Sequence, residues 1–280
     1  MNIGIVGLGL IGGSLGLDLR SLGHQVLGVS RRADTCHKAI ASGVVDDASV
    51  NFTLLAAADI VFICTPLAAI EPTVVQLIPH LAPEAILTDV GSVKVSVVEA
   101  IAPLWPQFVG GHPMAGSAES GLDAAQSNLF AGKAYVLTPT ETTPPVAVAI
   151  VEELVRSLQA KVYHCRPADH DRAVAWISHL PVMVSASLIA ACLGETDPTL
   201  LELAQQFASS GFRDTSRVGG GNPELGVMMA RYNQTEVLRS LQHYRQHLDQ
   251  IIGLIEQKDW NNLEQQLKQT QQARPKFVSS

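Results

Sequence analysis

An apolar pentapeptide, Asn2-Ile3-Gly4-Ile5-Val6, runs straight into Gly7-Leu8-Gly9-Leu10-Ile11-Gly12-Gly13-Ser14, and this junction limits what the chain can fold into more than any other stretch. A G-x-G-x-x-G phrase carries meaning when it follows a strand and opens a helix, which is its setting here. Gly7 permits the tight turn, Gly9 lets a pyrophosphate reach the backbone, and Gly12 lets helix and strand pack closely. The helix N-terminus then offers N–H groups and a partial positive charge to the phosphates. Gly7, Leu8, Gly9, Leu10, Ile11 and Gly12 are therefore expected to cradle a dinucleotide.

The next strand, Gln25–Val29, ends at Ser30-Arg31-Arg32. An acidic residue near this point accepts hydrogen bonds from the ribose hydroxyls of NAD, whereas arginine accommodates the 2′-phosphate of NADP. Ser30 holds the acid's place, and a guanidinium beside it pairs with phosphate through a forked, charged hydrogen bond. NADP is the expected cofactor, read by Ser30, Arg31 and Arg32, although Asp34 stands close by.

Continuous apolar runs lie at Ile60–Cys64 and Ala85–Thr88, further strands are expected at Gln107–Val109 and Ala134–Leu137 and a last one at Lys161–His164, with helical stretches such as 69–80 and 145–159 between them. Runs without alternation mark strands covered on both faces, so a doubly wound, mostly parallel sheet is expected. After Arg166-Pro167 the pattern is helical only. The expected fold is α/β, with a Rossmann-type nucleotide-binding domain over residues 1–165 and an all-helical domain over residues 166–280. In that half Val237, Leu241, Tyr244, Leu248, Ile251 and Ile255 form a stripe at steps of four and three, which either packs inside the domain or meets a partner helix.

Bulk properties narrow the class of partner. A net charge of −7 disfavours nucleic-acid binding through a basic surface. The apolar runs around 56–70 and 182–193 read as too short or too interrupted to span a membrane. Cys36, Cys64, Cys165 and Cys192 are scattered, without a C-x-x-C pair, as in reduced cytoplasmic proteins. The strand beginning at residue 2 leaves no room for a leader peptide, so a cytoplasmic location is expected. His243 and His247 share a helix face without a third ligand, and no metal site is expected.

In a doubly wound sheet, ligands sit at the carboxyl ends of the strands. Three polar phrases fall at such ends: Thr65-Pro66, Asp89-Val90-Gly91-Ser92-Val93-Lys94 and Gly110-Gly111-His112-Pro113-Met114-Ala115-Gly116-Ser117. His112, flanked by Gly111 and Pro113, reads as a loop residue placed to take a proton while hydride leaves the same carbon. Ser92 is placed to hold that hydroxyl or the imidazole, to cap a helix starting near Val93, or to do both. In the helical half, Ser178-His179-Leu180-Pro181 places His179 at a proline kink. Gly211-Phe212-Arg213-Asp214-Thr215-Ser216-Arg217 reads as a loop whose arginine suits a carboxylate, the alternative being an ion pair of Asp214 with Arg213 or Arg217. Asp169-His170-Asp171 reads as the acidic start of a helix.

Taken together, these phrases resemble the prephenate and arogenate dehydrogenases of tyrosine biosynthesis, in order and with similar spacing from residue 1 to about residue 270. The resemblance implies a Rossmann domain joined to a helical dimerisation domain, hence a homodimer. It implies that His112 is the base, with Ser92 supporting it and contacting the nicotinamide, while Thr65 and Pro66 are expected to line the cofactor from their place at a strand's carboxyl end. It also implies that Arg217 binds a substrate carboxylate, that Asp214 positions the same segment, and that His179 lies near substrate. The activity implied is oxidative decarboxylation of a cyclohexadienyl acid, with L-arogenate first and prephenate as the alternative. A β-hydroxyacid or imine reductase of similar plan would supply a lysine in the helical half, and none lies between Lys161 and Lys258. The chain departs from many relatives at Ala118, Val182 and Gly226, positions that bear on substrate choice.

Overall fold

The computed structural model describes residues 1–117 and 119–278. Ala118 lies outside them, so its departure from the family pattern has no structural counterpart below. The chain divides into two compact units, one of residues 1–174 with 221–232, the other of 175–220 with 233–280.

The first unit is built on one eight-stranded sheet: β1 (Asn2–Val6), β2 (Gln25–Val29), β3 (Asp47–Ser49), β4 (Ile60–Ile63), β5 (Ile86–Asp89), β6 (Phe108–Pro113), β7 (Ala134–Thr138) and β8 (Lys161–His164). Their order is β3-β2-β1-β4-β5-β6-β7-β8. All neighbours run parallel except β6 and β7. The crossover from β3 to β4 reverses the direction in which the sheet grows, and a crevice opens at the carboxyl ends of β1 and β4. The helices of this unit are α1 (Leu10–Ser21), α2 (Ala33–Ala41), α3 (Ile70–Leu77), α4 (Val95–Ile101), α5 (Pro145–Ser157) and α6 (Pro167–Val174).

Strand side chains alternate between two apolar cores, one on each face. Ile3, Ile5, Ile60 and Phe62 enter the core that holds Leu15 and Leu19 of α1. Val6, Val61 and Ile63 enter the other, with Val74 of α3 and Ile101 of α4. Burial on both faces is why these strands read as unbroken apolar runs.

The second unit is helical. A π turn at Ala175–His179 leads into α7 (Leu180–Leu193), followed by α8 (Pro198–Phe207), α9 (Ser210–Ser216) and a 3₁₀ turn at Arg217–Gly220. After α10 (Pro223–Tyr232), which clusters with the first unit, come α11 (Gln234–Glu256), α12 (Trp260–Ala273) and α13 (Pro275–Val278). Pro181 cannot donate to the carbonyl four residues back and its ring crowds that carbonyl, so the helix widens into a π turn just before it.

The helical run Pro167–Leu193 spans 27 residues at a mean hydropathy of 1.7, because the helix continues through Pro181 and joins the apolar stretch near 182–193 to the segment before it. By length and composition alone it suffices to span a membrane. Its continuity was hidden because Pro181 reads as a break. Only 17% of its apolar window is buried within the chain. The stripe on α11 divides: Val237 is buried, whereas Tyr244, Leu248 and Ile255 are exposed.

Candidate active site

The fingerprint folds as a phosphate cradle. Gly7 sits at φ +103°, and a Cβ there would lie 2.6 Å from the Cys64 carbonyl oxygen. A Cβ on Gly12 would lie 2.0 Å from the Gly7 oxygen, so both positions exclude any side chain. Gly9 differs: a Cβ would meet nothing within 4 Å, which leaves open space over the start of α1. Gly9 is the N-cap and no side chain caps the helix, so its first N–H groups face that space. Leu8 is buried in the core, while Leu10 and Ile11 are half-buried. The backbone fits a pyrophosphate, and this fit rests on the glycine geometry alone.

At the end of β2, Ser30 is half-buried and Arg31 and Arg32 are exposed. The Arg32 N–H donates to Ser30 Oγ at 3.4 Å. Neither guanidinium makes an ion pair among the described residues. Thr65 and Pro66 follow β4 beside the Gly7 turn, where a Cβ on Gly7 would approach the Thr65 nitrogen.

His112 lies within β6, opposite Val136 of β7, which corrects its placement on a loop. The antiparallel partner prolongs the strand through Pro113. Gly110 and Gly111 allow this because a Cβ would strike Thr138 Oγ1 at 2.5 Å or the Asp89 oxygen at 2.7 Å. The His112 ring is buried, with Nδ1 2.8 Å from His170 Nε2. His170 Nδ1 in turn lies 2.7 Å from Asp171 Oδ1. The Asp171 carboxylate also accepts the backbone N–H groups of Lys94 at 2.7 Å and Val95 at 2.9 Å. It therefore caps α4, and Ser92, half-buried on the loop after β5, is not the N-cap. The whole Asp169-His170-Asp171 triplet does open α6, but two of its members face inward rather than forming a solvated acidic turn.

Lys94 completes this centre. It is fully buried, and its ammonium pairs with Asp89 Oδ2 and donates to the Gly111 carbonyl at 2.6 Å. Asp89 also accepts the Gly91 and Gly111 N–H groups at 2.8 and 3.1 Å. Burial pushes the Lys94 ammonium below its usual range, against the pull of Asp89 and Asp171. The result ties the ends of β5, β6 and α6 to one another.

In the helical unit, His179 is fully buried in the π turn, with Nδ1 3.2 Å from Asn233 Nδ2. Arg213 and Asp214 lie on α9 and Arg217 opens the 3₁₀ turn, which corrects the expected loop. The Thr215 and Ser216 hydroxyls bond back to the carbonyls of Gly211 and Phe212, so these polar residues are accommodated on a helix. Asp214 pairs with Arg213 at 3.7 Å, both exposed, and Arg217 is exposed. The turn is pinned on α7: the Ser185 hydroxyl donates to the Thr215 carbonyl at 2.6 Å, and a Cβ on Gly219 would lie 2.4 Å from the Ala186 nitrogen.

Residues 15–164 match the family model described as prephenate dehydrogenase, nucleotide-binding domain, and residues 166–269 match prephenate dehydrogenase, dimerization domain. Prephenate dehydrogenase of Bacillus subtilis is 35% identical over 92% of this chain and 71% of its own length. The crystal structure of Synechocystis arogenate dehydrogenase shares 58% identity at a TM-score of 0.91, covering 99% of this chain and 100% of that one. Prephenate dehydrogenase from Aquifex aeolicus, in complex with hydroxyphenyl propionate and NAD+, shares 26% identity at a TM-score of 0.93, covering 99% and 98%. The chain belongs to the prephenate dehydrogenase family, an enzyme family whose N-terminal half binds a nicotinamide nucleotide.

Proposed function

We propose that this enzyme oxidatively decarboxylates L-arogenate to L-tyrosine with NADP. The observation that carries the substrate is the 58% identity with the Synechocystis arogenate dehydrogenase over the whole chain, against 35% with the Bacillus subtilis prephenate dehydrogenase. Bound NADP+ would accept the hydride from the ring carbon bearing the hydroxyl. His112 takes the hydroxyl proton, carbon dioxide leaves from the ring carboxylate, and the electrons of the broken C–C bond make the ring an aromatic phenolate that takes the proton back, so one arogenate and one NADP+ yield tyrosine, carbon dioxide and NADPH with no net proton. Ser92 supports the base and contacts the nicotinamide. Arg217 anchors a substrate carboxylate, Asp214 positions its segment, and His179 lies near substrate. A division at residue 165 is part of the reading, supported by the two family models, which end at 164 and begin at 166.

Of the four pairings of arogenate or prephenate with NADP or NAD, arogenate with NADP is expected to give the highest kcat/KM, followed by NADPH or NADH absorbance. Prephenate turned over tenfold better than arogenate, at either cofactor, would replace the substrate proposed here with the alternative.

The preference for NADP rests on Ser30 in the acid's place and on the two exposed guanidinium groups beside it, neither of which forms an ion pair among the described residues. Arg31→Ala is expected to raise the KM for NADP about tenfold or more, the scale of a lost charged hydrogen bond to phosphate, while the KM for NAD stays within twofold of about its starting value. Equal losses with both cofactors would show that Arg31 does not read the 2′-phosphate.

A homodimer through the helical half follows from the same reading. It is supported by the family model for that half and by the apolar residues this unit leaves exposed, among them Phe207, Leu248, Ile252 and Ile255. Burying these side chains against a second copy would remove apolar surface from water. Light scattering at micromolar concentration should report twice the 29.8 kDa chain mass. A monomer with full activity would remove the idea.

A further inference from the structure

His170 and Asp171 stand outside the roles assigned above, yet they form an unbroken line to the base: Asp171 Oδ1 to His170 Nδ1 at 2.7 Å, then His170 Nε2 to His112 Nδ1 at 2.8 Å. All three are buried, at 3%, 2% and 9% exposure, so no bulk water competes for these bonds. A carboxylate has acceptors only, and the proton between it and His170 must therefore sit on His170 Nδ1. A neutral His170 then has only a lone pair at Nε2. Two lone pairs facing each other at 2.8 Å would repel, so the second proton must sit on His112 Nδ1. That leaves the His112 lone pair on Nε2 alone.

We propose that His170, held by Asp171, is a positioning residue that fixes His112 as the Nδ1–H tautomer and thereby makes Nε2 the base. The proposal rests on His112 as the base of the reaction. It has two consequences for the chemistry. The base needs no ring flip or tautomer exchange before it acts. When Nε2 takes the proton, the Nδ1–H bond to His170 is already in place, and the Asp171 charge stabilises the imidazolium through the intervening ring, as a buried acid does for a histidine base in acyl transfer. Asp171 is itself fixed by the Lys94 and Val95 N–H groups at the start of α4, so the line cannot rotate as a unit. The rings meet edge to face with centroids 5.0 Å apart, which fixes the plane of His112 as well as its tautomer.

The test uses the full-length enzyme labelled with 15N-histidine, with long-range 1H–15N correlation at neutral pH. The chain has nine histidines, so the His112 signals are assigned by their loss in His112→Asn. Wild-type His112 should show the Nδ1–H pattern. An Nε2–H pattern would overturn the proposal without any further variant. Kinetics with arogenate and NADP supply the second readout. His170→Leu removes the acceptor and should lower kcat by between about tenfold and a thousandfold, with KM changed little. His170→Gln keeps a carbonyl that can accept from His112 Nδ1 and should recover part of the loss. In the His112→Asn background, His170→Leu should cost nothing more, because its effect passes through His112. Near wild-type kcat in His170→Leu, beside an inactive His112→Asn, would overturn the proposal and leave His112 as the base. An active His112→Asn would remove the base assignment and the proposal with it. Equal losses in the Leu and Gln variants with the His112 tautomer unchanged would reduce His170 to a packing residue.

Discussion

Replacing His112 with asparagine should lower kcat by about a hundredfold or more, the scale on which a lost acid–base group is felt. Asparagine is smaller than histidine but keeps an N–H at the Nδ position, so its amide can still meet His170, and β6 should keep its pairing with β7. Nucleotide affinity should be retained, because the glycine cradle of Gly7, Gly9 and Gly12 lies at a different strand end, on β1. What the variant lacks is an imidazole nitrogen to take the substrate proton. Unchanged cofactor affinity, measured by fluorescence titration, would separate this loss from a folding defect.

Removing the Lys94 ammonium should be the most damaging single change to stability. Its side chain and that of Asp89 are both fully buried and paired. Lys94→Met keeps the length of the side chain but leaves the Asp89 carboxylate in the core with the Gly91 and Gly111 N–H groups and no cation among the described residues. Breaking a buried pair in this way costs about 3–5 kcal/mol, because one charge stays behind uncompensated. Urea unfolding would read that loss directly. The double variant Lys94→Met with Asp89→Asn leaves no charge and should be more stable than Lys94→Met alone. A single variant within about 1 kcal/mol of wild type would show that the pair contributes little to holding these strand ends together.

The sheet was legible because β1, β2, β4 and β5 feed two cores at once and so appear as apolar runs. Strand β3 was not: Asp47-Ala48-Ser49 lies at the sheet edge and buries too little to leave a pattern. Nor does a run of apolar residues state its direction, so the antiparallel turn of β7, and with it the strand setting of His112, had to come from the fold. The segment 210–217 reads as a loop from its glycine, serine and threonine content. It is helical because two of those hydroxyls bond to carbonyls four residues earlier and Ser185 fixes the turn from α7.

The glycine cradle and His112 stood out because each depends on local spacing. The partners of His112 did not. His170 is 58 residues away in sequence, and Asp171 meets Lys94 across 77. An Asp-His-Asp triplet at a helix start has an ordinary local explanation, and only the packing of α6 against the start of α4 and the end of β6 gives it another. Nor does the phrase Asp89–Lys94 state by itself that its lysine is buried. A lysine in an apolar setting could have been noticed, since such a residue needs a buried acid, and Asp89 is five residues away.

The central claim is that His112 is the base for arogenate oxidation, and the pH dependence of kcat/KM tests it most directly. A base must be neutral to act, so for the wild-type enzyme kcat/KM should fall as pH drops through the His112 pKa, by about tenfold per pH unit once below it. In His112→Asn that acid limb should disappear, leaving a low and nearly flat profile. An asparagine variant with near wild-type kcat and the same acid limb would contradict the account, because the proton would then be leaving through another group.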